Sequence, residues 1–498
     1  MIRLALILAC AAGIAAAEAP SISRIIPGAI TPGKPSKITL RGDNLDQVSD
    51  LWTSFEATVE KVSATPNEAV FNIQTLSGPP IGLGLVRLIG SNGISAPKYL
   101  MLDALPTVKG AKTNSTAASA MRLSLPVALE GTLEGMTSAF FRFNAKRGQS
   151  MIFDVVAQRS GSAMDPVLRL LDADGREILF CEDSVGADKD CHVRHKFEKA
   201  GEYLLELRDT QYGGGSKFHY RLRAGALEKE SFPLTFLAKA ELTRFHKTLP
   251  GIQERRSKDA SFQMLAAPCS VHGKLEKANE RDEYEFAVKK GQHLVFNGKS
   301  RSIGSPCDLY LRLQTATGKL IAESLLSGAE DASITNLFKE AGTYQLIVEE
   351  ATRTGSAHFF YEVEMLPFQR GFGLSLEQDT YQATPGEEFE LKVMPNRQGN
   401  FDGPIRLSVE GAGSSLVLLT NTVTTKTNAA VIKIQLSKEA NPAQMLLFKL
   451  KGSARVDGEE FSTMAATKPA FRKHFPHLLW PPPELDGWIA VGVRSKPD

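Results

Sequence analysis

The sequence lacks a dominant charge, a long internal apolar run and an abundance of cysteine. Lysine and arginine total 58 against 56 aspartates and glutamates, so no net field favours nucleic acid or an anionic membrane surface as a partner. Beyond the N-terminus nothing approaches the roughly 18 consecutive apolar residues of a membrane-spanning helix, and no transmembrane segment is predicted. The 42% apolar and 23% charged fractions are those of an ordinary globular protein.

Short motifs that usually accompany catalysis are also missing. The sequence contains no His-Glu-x-x-His for a zinc peptidase, no Gly-x-Ser-x-Gly elbow for a hydrolase and no Gly-x-x-x-x-Gly-Lys-Ser/Thr loop for phosphates. We therefore expect a protein that is not an enzyme and has no certain cofactor, with an enzyme of unrecognised type as the remaining alternative.

The first residues are typical of a secretory signal peptide. Arg3 gives a short basic start, Leu4 to Ile14 is apolar, and a run of alanines ends at Ala17. Residues 1–17 are predicted to be removed, which implies an exported protein that is periplasmic, on the cell surface or secreted. Lipidation at Cys10 is an alternative, although it would leave only a short apolar run before the cysteine.

Four cysteines remain once the leader is removed, namely Cys181, Cys191, Cys269 and Cys307. An even number in an oxidising compartment predicts two disulfides. Pairing Cys181 with Cys191 and Cys269 with Cys307 is the most local of three possibilities.

An internal repeat organises the middle of the chain, with an offset of about 143 residues. The matches preserve spacing to the residue, as in Asp165-x-x-Leu168-Arg169-Leu170 against Asp308-x-x-Leu311-Arg312-Leu313, and Phe197-x-x-Ala200-Gly201-x-Tyr203 against Phe338-x-x-Ala341-Gly342-x-Tyr344. Within each copy apolar residues alternate, as in Met151, Phe153 and Val155, which is the period of a strand with one buried face. Each copy is predicted to be a sandwich or jelly roll of about eight strands.

The predicted fold class is all-β, a string of jelly-roll and immunoglobulin-like β-sandwich domains, because alternation and turn residues continue on both sides of the repeat. The predicted boundaries are an immunoglobulin-like sandwich at 18–104, the first repeat at 105–225, a connecting strand at 226–248, the second repeat at 249–367, another immunoglobulin-like sandwich at 368–470, and an extended tail with three consecutive prolines at 471–498.

Both copies resemble the bacterial pre-peptidase C-terminal domain family. The first copy carries the pattern as Asp165-Pro166-Val167-Leu168-Arg169-Leu170, then Asp174-Gly175, Glu182-Asp183-Ser184 and Gly201-Glu202-Tyr203. The second departs from it, since Leu309 follows Asp308 and Glu323-Ser324-Leu325-Leu326 replaces the acidic loop. The resemblance implies accessory modules of secreted proteins, often appended to peptidases.

Two further segments carry weaker resemblances. The run from Ile25-x-Pro27-Gly28 to Thr39-Leu40-x-Gly42-x-Asn44-Leu45 is similar to an IPT/TIG-type immunoglobulin-like domain. The segment Gly399-Asn400-Phe401-Asp402-Gly403-Pro404-Ile405 is similar to one found in the last domain of exported bacterial proteins with this domain order.

Calcium is the first metal to consider, because the loop between Cys181 and Cys191 supplies hard oxygen ligands from Glu182, Asp183, Asp188 and Asp190. Their spacing matches no EF-hand, so a solvated charged loop is the competing interpretation. The nearby Asp172-Ala173-Asp174-Gly175 is most simply a hairpin turn.

Zinc is a second possibility, at Cys181, Cys191, His192 and His195. Histidines three apart on a strand point to opposite faces, and exported cysteines should be oxidised. A disulfide-closed loop with surface histidines is therefore preferred.

These features predict a non-catalytic exported protein that presents sandwich loops to a cell-envelope protein or glycan. The alternative is an accessory subunit of a secreted enzyme complex, such as a peptidase, in which the chain holds substrate or tethers the catalytic subunit.

Overall fold

The computed structural model describes residues 18–76, 78, 80–184, 186–227, 234–242, 251–253, 262–325, 331–478 and 481–496. Nearly all regular structure in these residues is β-strand arranged in sheets. The all-β prediction is therefore confirmed. The predicted signal peptide, residues 1–17, lies outside the described residues.

The N-terminal sandwich has two sheets, ordered β1-β3-β6-β5 and β2-β9-β7, with β4 and β8 also pairing β7. Alternating residues of facing strands, such as Ile38, Leu40, Phe71 and Leu88, are fully buried between the sheets. Its strands are β1 Arg24–Ile26, β2 Ala29–Ile30, β3 Ser36–Arg41, β4 Val48–Thr53, β5 Ala57–Thr65, β6 Glu68–Thr75, β7 Gly82–Gly90, β8 Gly93–Ile94 and β9 Lys98–Leu102.

The first repeat also consists of two five-stranded sheets, ordered β10-β12-β19-β14-β17 and β11-β13-β18-β15-β16. Its strands are β10 Thr107–Lys109, β11 Met121–Arg122, β12 Val127–Thr132, β13 Ala139–Ala145, β14 Ser150–Val156, β15 Pro166–Leu171, β16 Glu177–Cys181, β17 His192–Lys196, β18 Gly201–Asp209 and β19 His219–Gly225. A short 3-10 helix, Gln158–Ser160, follows β14.

A single short strand of the connecting segment, β20 Thr235–Phe236, pairs in parallel with β7 at Gly82 and Leu83. The Leu237 side chain that follows it belongs to the core of the N-terminal sandwich. The connection thus returns to the first sandwich after the first repeat. A 3-10 turn, Ala240–Leu242, comes next.

The second repeat reproduces the first strand for strand, with sheets ordered β21-β23-β30-β25-β28 and β22-β24-β29-β26-β27. Each copy has ten described strands rather than about eight, because two very short parallel strands open each module. The strands are β21 Gly251–Gln253, β22 Gln263–Leu265, β23 Cys269–Lys274, β24 Arg281–Val288, β25 His293–Lys299, β26 Leu309–Thr315, β27 Leu320–Glu323, β28 Ser333–Leu337, β29 Gly342–Glu350 and β30 Phe360–Pro367, with a 3-10 helix at Arg301–Ile303.

The last sandwich is built on a sheet path β32-β40-β38-β39-β31-β33-β37-β35, with β34 pairing β36 and β38. Its elements are β31 Gly371–Leu376, β32 Thr380–Ala383, β33 Glu388–Gln398, β34 Ile405–Glu410, β35 Leu416–Leu418, β36 Thr422–Val423, β37 Ala430–Leu436, β38 Gln444–Val456, β39 Glu459–Ala466, helix α1 Lys468–His474 and β40 Ile489–Val493, with 3-10 turns at Gly413–Ser415 and Pro483–Leu485.

The tail predicted as an extended arm at 471–498 contains regular structure in its described residues, and there the prediction is wrong. Strand β40 lies between β32 and β38, parallel to the first and antiparallel to the second, and all five of its residues are buried. A short apolar strand buried on both faces shows no alternation, so it is not recognised after a proline-rich segment.

The first and last sandwiches are in direct contact. The Gln382 side chain accepts a hydrogen bond from Ile94 N at 2.9 Å and donates one to Ile94 O at 2.7 Å. Phe471 and Phe475 of the α1 region pack with Tyr99 of the N-terminal sandwich. No helix in the described part of the chain is long and apolar enough to cross a membrane.

Candidate functional site

The acidic loop of the first repeat places its four predicted calcium ligands in different surroundings. Glu182 and Asp183 are exposed, whereas Asp190 is fully buried. Burial is the main cause that raises the pKa of Asp188, to about 6. Within the described residues no three or more His, Cys, Asp or Glu side chains are arranged to hold a metal ion.

The buried Asp190 carboxylate is used by the fold. It accepts hydrogen bonds from the backbone N–H groups of Ala157, Gln158 and Arg159 at 3.0, 2.8 and 3.2 Å. Its Oδ2 also accepts one from Arg159 Nε at 2.9 Å. Asp190 therefore fixes the 3-10 turn that follows β14.

A buried chain of alternating charges extends from this turn to the N-terminal sandwich. Arg159 contacts Asp154 at 2.7 Å, Asp154 contacts Arg223 at 3.0 Å, and Arg223 contacts Asp103 at 3.2 Å. These side chains are 7% exposed or less. Each charge has an opposite neighbour, which is the condition under which ionised groups are tolerated in an interior.

The predicted disulfides are not formed, because all four cysteines are free in the structure. Cys181 ends β16 in one sheet, whereas Cys191 lies just before β17 in the other. Cys191 Sγ donates to Cys181 O and Glu182 O, both at 3.1 Å. The side-chain hydrogen bond between the Cys191 and Cys181 thiols is the main cause that lowers the pKa of Cys181 to about 7.

Cys269 and Cys307 are likewise buried thiols of the second core. The two histidines of the alternative zinc site also have different neighbours. His192 Nδ1 lies 3.3 Å from Asp154, while the His195 ring packs edge-on against Phe197.

Asp188 lines a cavity of about 360 Å³ to which all four sandwiches contribute. The N-terminal sandwich supplies Tyr99, the second repeat Arg301, and the segment before β40 Glu484. The Asp188 and Glu484 carboxylates both raise the pKa of Tyr99, after the larger effect of burial. We call this the four-domain cavity.

A second opening, a groove of about 690 Å³, lies between the second repeat and the last sandwich. Rings from both domains line it: His293 and Phe368 stack at 4.1 Å between centroids, and Phe461 contributes from β39. The carboxylates of Asp457, Glu459 and Glu460 are exposed along the same groove. We call this the acidic groove.

Arg370 joins two turns of the last sandwich that line the acidic groove. Its guanidinium donates to Gly399 O at 2.9 Å, to Asn400 O at 3.2 Å and to Asp457 at 2.8 Å. Gly399 has a positive φ of 63°, and a Cβ there would lie 2.8 Å from atoms of Arg370 and Phe368. Glycine is therefore required for this close approach.

Sequence reasoning singled out only part of this groove, namely the segment beginning at Gly399 and Asn400. It missed Phe368, which follows β30 and bonds back to His293 O, and Phe461, which lies far along the chain on β39. The remaining signal was the turn at Asp457 and Gly458 followed by two glutamates, a pattern too common to mark a site.

No protein-family model matches the chain, and no curated protein matches it. Among solved structures, the pre-peptidase C-terminal domain of a Bacillus anthracis collagenase is 16% identical, with 21% of this chain and 94% of that chain covered and a TM-score of 0.17. A Bacteroides ovatus protein from a mixed-linkage glucan utilization locus, solved with a mixed-linkage heptasaccharide, is 10% identical, with 68% and 73% covered and a TM-score of 0.15. Fibronectin(III)-like modules from Clostridium thermocellum are 10% identical, with 43% and 93% covered and a TM-score of 0.13. At these scores the likenesses assign neither a family nor a function.

Proposed function

We propose that this chain is an exported, non-catalytic binding or scaffolding protein that holds a cell-envelope glycan or protein in the acidic groove. The observation that carries the proposal is the combination of stacked rings and exposed carboxylates between two sandwiches. Ligand sites characteristically combine apolar walls with a few polar groups that fix orientation.

The chemistry of the groove suits a glycan first. The half-buried ring pair of His293 and Phe368 can pack against the apolar C–H face of a sugar, while Glu459 and Glu460 are acceptors for its hydroxyl groups. A protein segment with lysine or arginine side chains would use the same carboxylates through charge-assisted hydrogen bonds.

The groove is also held in shape before any ligand arrives. Arg370 bonds to Gly399, Asn400 and Asp457, so one guanidinium joins the two turns of the last sandwich that line the groove. A preformed site loses less conformational entropy when it binds, which favours useful affinity from a modest contact area.

The test uses the full mature chain, residues 18–498, on a glycan array and in a pull-down from its own cell-envelope extract. Phe368→Ala and Glu459→Gln with Glu460→Gln should each weaken binding by about tenfold, the effect of losing one important contact. Phe180→Ala is the matched control, because Phe180 is 49% exposed in the first repeat and outside the groove.

Binding that is unchanged in both groove variants would refute the acidic groove as the working surface. Recovery of an enzyme that depends on the groove would favour the accessory-subunit alternative over a separate scaffold. No specific partner or glycan under any condition would count against binding as the function.

A further inference from the structure

A smaller pocket, of about 80 Å³, lies between the N-terminal sandwich and the first repeat. Its volume is several times the roughly 10–15 Å³ that a single water requires, so a small polyatomic ion can enter. Four basic residues from the two domains line it: Arg24 from β1, Lys98 from β9, and His219 and Arg221 from β19.

Two of these basic side chains, those of Arg24 and Lys98, have no counter-ion among the described residues. Neither Arg24 nor Lys98 forms an ion pair with any carboxylate in the described ranges. Burial lowers the pKa of Lys98. Burial first, and then the charges of Lys98 and Arg24, lower the pKa of His219 to about 4, which leaves the imidazole neutral near neutral pH.

Among the described residues one carboxylate lines the pocket, that of Glu130, and it already accepts hydrogen bonds from its neighbours. Glu130 accepts hydrogen bonds from Gly28 N at 2.9 Å and from Arg221 at 2.8 Å. Arg221 also pairs with Asp103 at 2.8 Å. Glu130 is thus the one carboxylate in a described lining that also includes Arg24, Lys98 and Arg221, so positive charge is in excess.

Hydroxyl groups complete the lining. Ser23 and Ser160 donate to backbone carbonyls, Arg41 O at 3.0 Å and Ala157 O at 2.9 Å. Ser216 lies at the exposed rim, and its hydroxyl has no hydrogen bond to another described residue. It can donate to a bound group.

We propose that this pocket binds a small oxyanion, a phosphate, sulfate or carboxylate group, held by the Lys98 ammonium and the Arg24 guanidinium with the Ser216 hydroxyl as a further donor. Charge-assisted hydrogen bonds of this kind are about twice as strong as neutral ones. The site is separate from the acidic groove and does not depend on the function proposed for it.

The test is calorimetric titration of the mature chain with inorganic phosphate at low ionic strength, with chloride of equal ionic strength as reference. The wild-type chain should give saturable binding at one site. Lys98→Met and Arg24→Gln should each weaken it by about tenfold, the loss of one charged hydrogen bond. Lys37→Met is the control, because Lys37 is exposed on β3 of the same sandwich and outside the pocket.

Two further readouts sharpen the result. An anion beside the imidazole should raise the pKa of His219, followed by NMR, in the wild type and less in Lys98→Met. Inorganic sulfate compared with a sulfated monosaccharide distinguishes a free ion from an anionic sugar by which binds more tightly. No saturable binding of phosphate or sulfate, or binding in both pocket variants as tight as in the wild type, would overturn the proposal.

Discussion

Asp190 and Asp331 occupy equivalent positions in the two repeats, and each carboxylate accepts backbone hydrogen bonds from the 3-10 turn that follows the fifth strand of its module. Asp331 Oδ1 accepts them from Ser300, Arg301 and Ser302 at 3.1, 3.0 and 3.4 Å. Of the two, Asp190 alone adds an ion pair with a described residue, namely with Arg159. Because the aspartate binds the same turn in both repeats, we infer that its role is structural.

Asp190→Ala should therefore destabilise the protein more than Asp331→Ala. Removing Asp190 leaves the buried Arg159 with only one of its two carboxylate partners, a loss of about 3–5 kcal/mol, whereas removing Asp331 leaves unsatisfied N–H groups at about 1–3 kcal/mol. Unfolding followed by circular dichroism, with hydrogen exchange to assign the affected module, measures both. Equal effects, or a smaller effect at Asp190, would contradict this assignment.

Asp188, in the four-domain cavity, makes the free energy of unfolding of the protein depend on pH. Its pKa is raised from an ordinary value of 3.8 to about 6, chiefly by burial. The folded state therefore binds the proton more tightly than the unfolded state does. Ionised Asp188 destabilises the folded state. This destabilisation is absent at pH values below the pKa that Asp188 has in the unfolded state, grows as the pH rises between the two pKa values, and is complete above the pKa of the folded state.

Asp188→Asn should accordingly raise the free energy of unfolding by about 1–3 kcal/mol near pH 7.5, with the gain disappearing near pH 4. Denaturant unfolding at several pH values measures this difference. Asp402→Asn is the matched control, because Asp402 is exposed in the last sandwich and outside the cavity. A gain that does not change with pH would show that Asp188 is not the titrating group.

The ordered tail gives a third prediction. Deleting residues 489–498 removes β40, with five buried residues and ladder bonds to β32 and β38. Each apolar side chain buried there contributes about 1.5–3 kcal/mol, so the last sandwich should lose its protection from proteolysis. Deleting only 497–498 is the control. Equal protease resistance of both deletions would refute a structural role for β40.

The sequence was sufficient for the fold class and the repeat, but not for the junctions between domains. Period-two alternation at residues such as Met151, Phe153 and Val155 identifies strands because it depends only on local geometry. The contacts at the junctions between domains join residues that are far apart in the chain. Arg223 meets its partner Asp103 across 120 positions. Local pattern carries no information about such pairs.

The acidic loop is a second case in which the sequence could not predict how the side chains are placed. Its composition predicted Asp188 as a calcium ligand, whereas the structure places Asp188 in the lining of the four-domain cavity. Composition could not show that Asp190 turns inward to Arg159, because that depends on where β14 ends and the 3-10 turn begins.

The central claim is that the acidic groove is the surface that holds a partner. Site-specific photo-crosslinking from position 460 in the groove, with position 180 in the first repeat as reference, tests it most directly in cell-envelope extract. The account predicts a discrete crosslinked product from position 460 that a Phe368→Ala substitution diminishes, with none from position 180. A product from position 180 alone, or a product from position 460 that does not respond to Phe368→Ala, would contradict it.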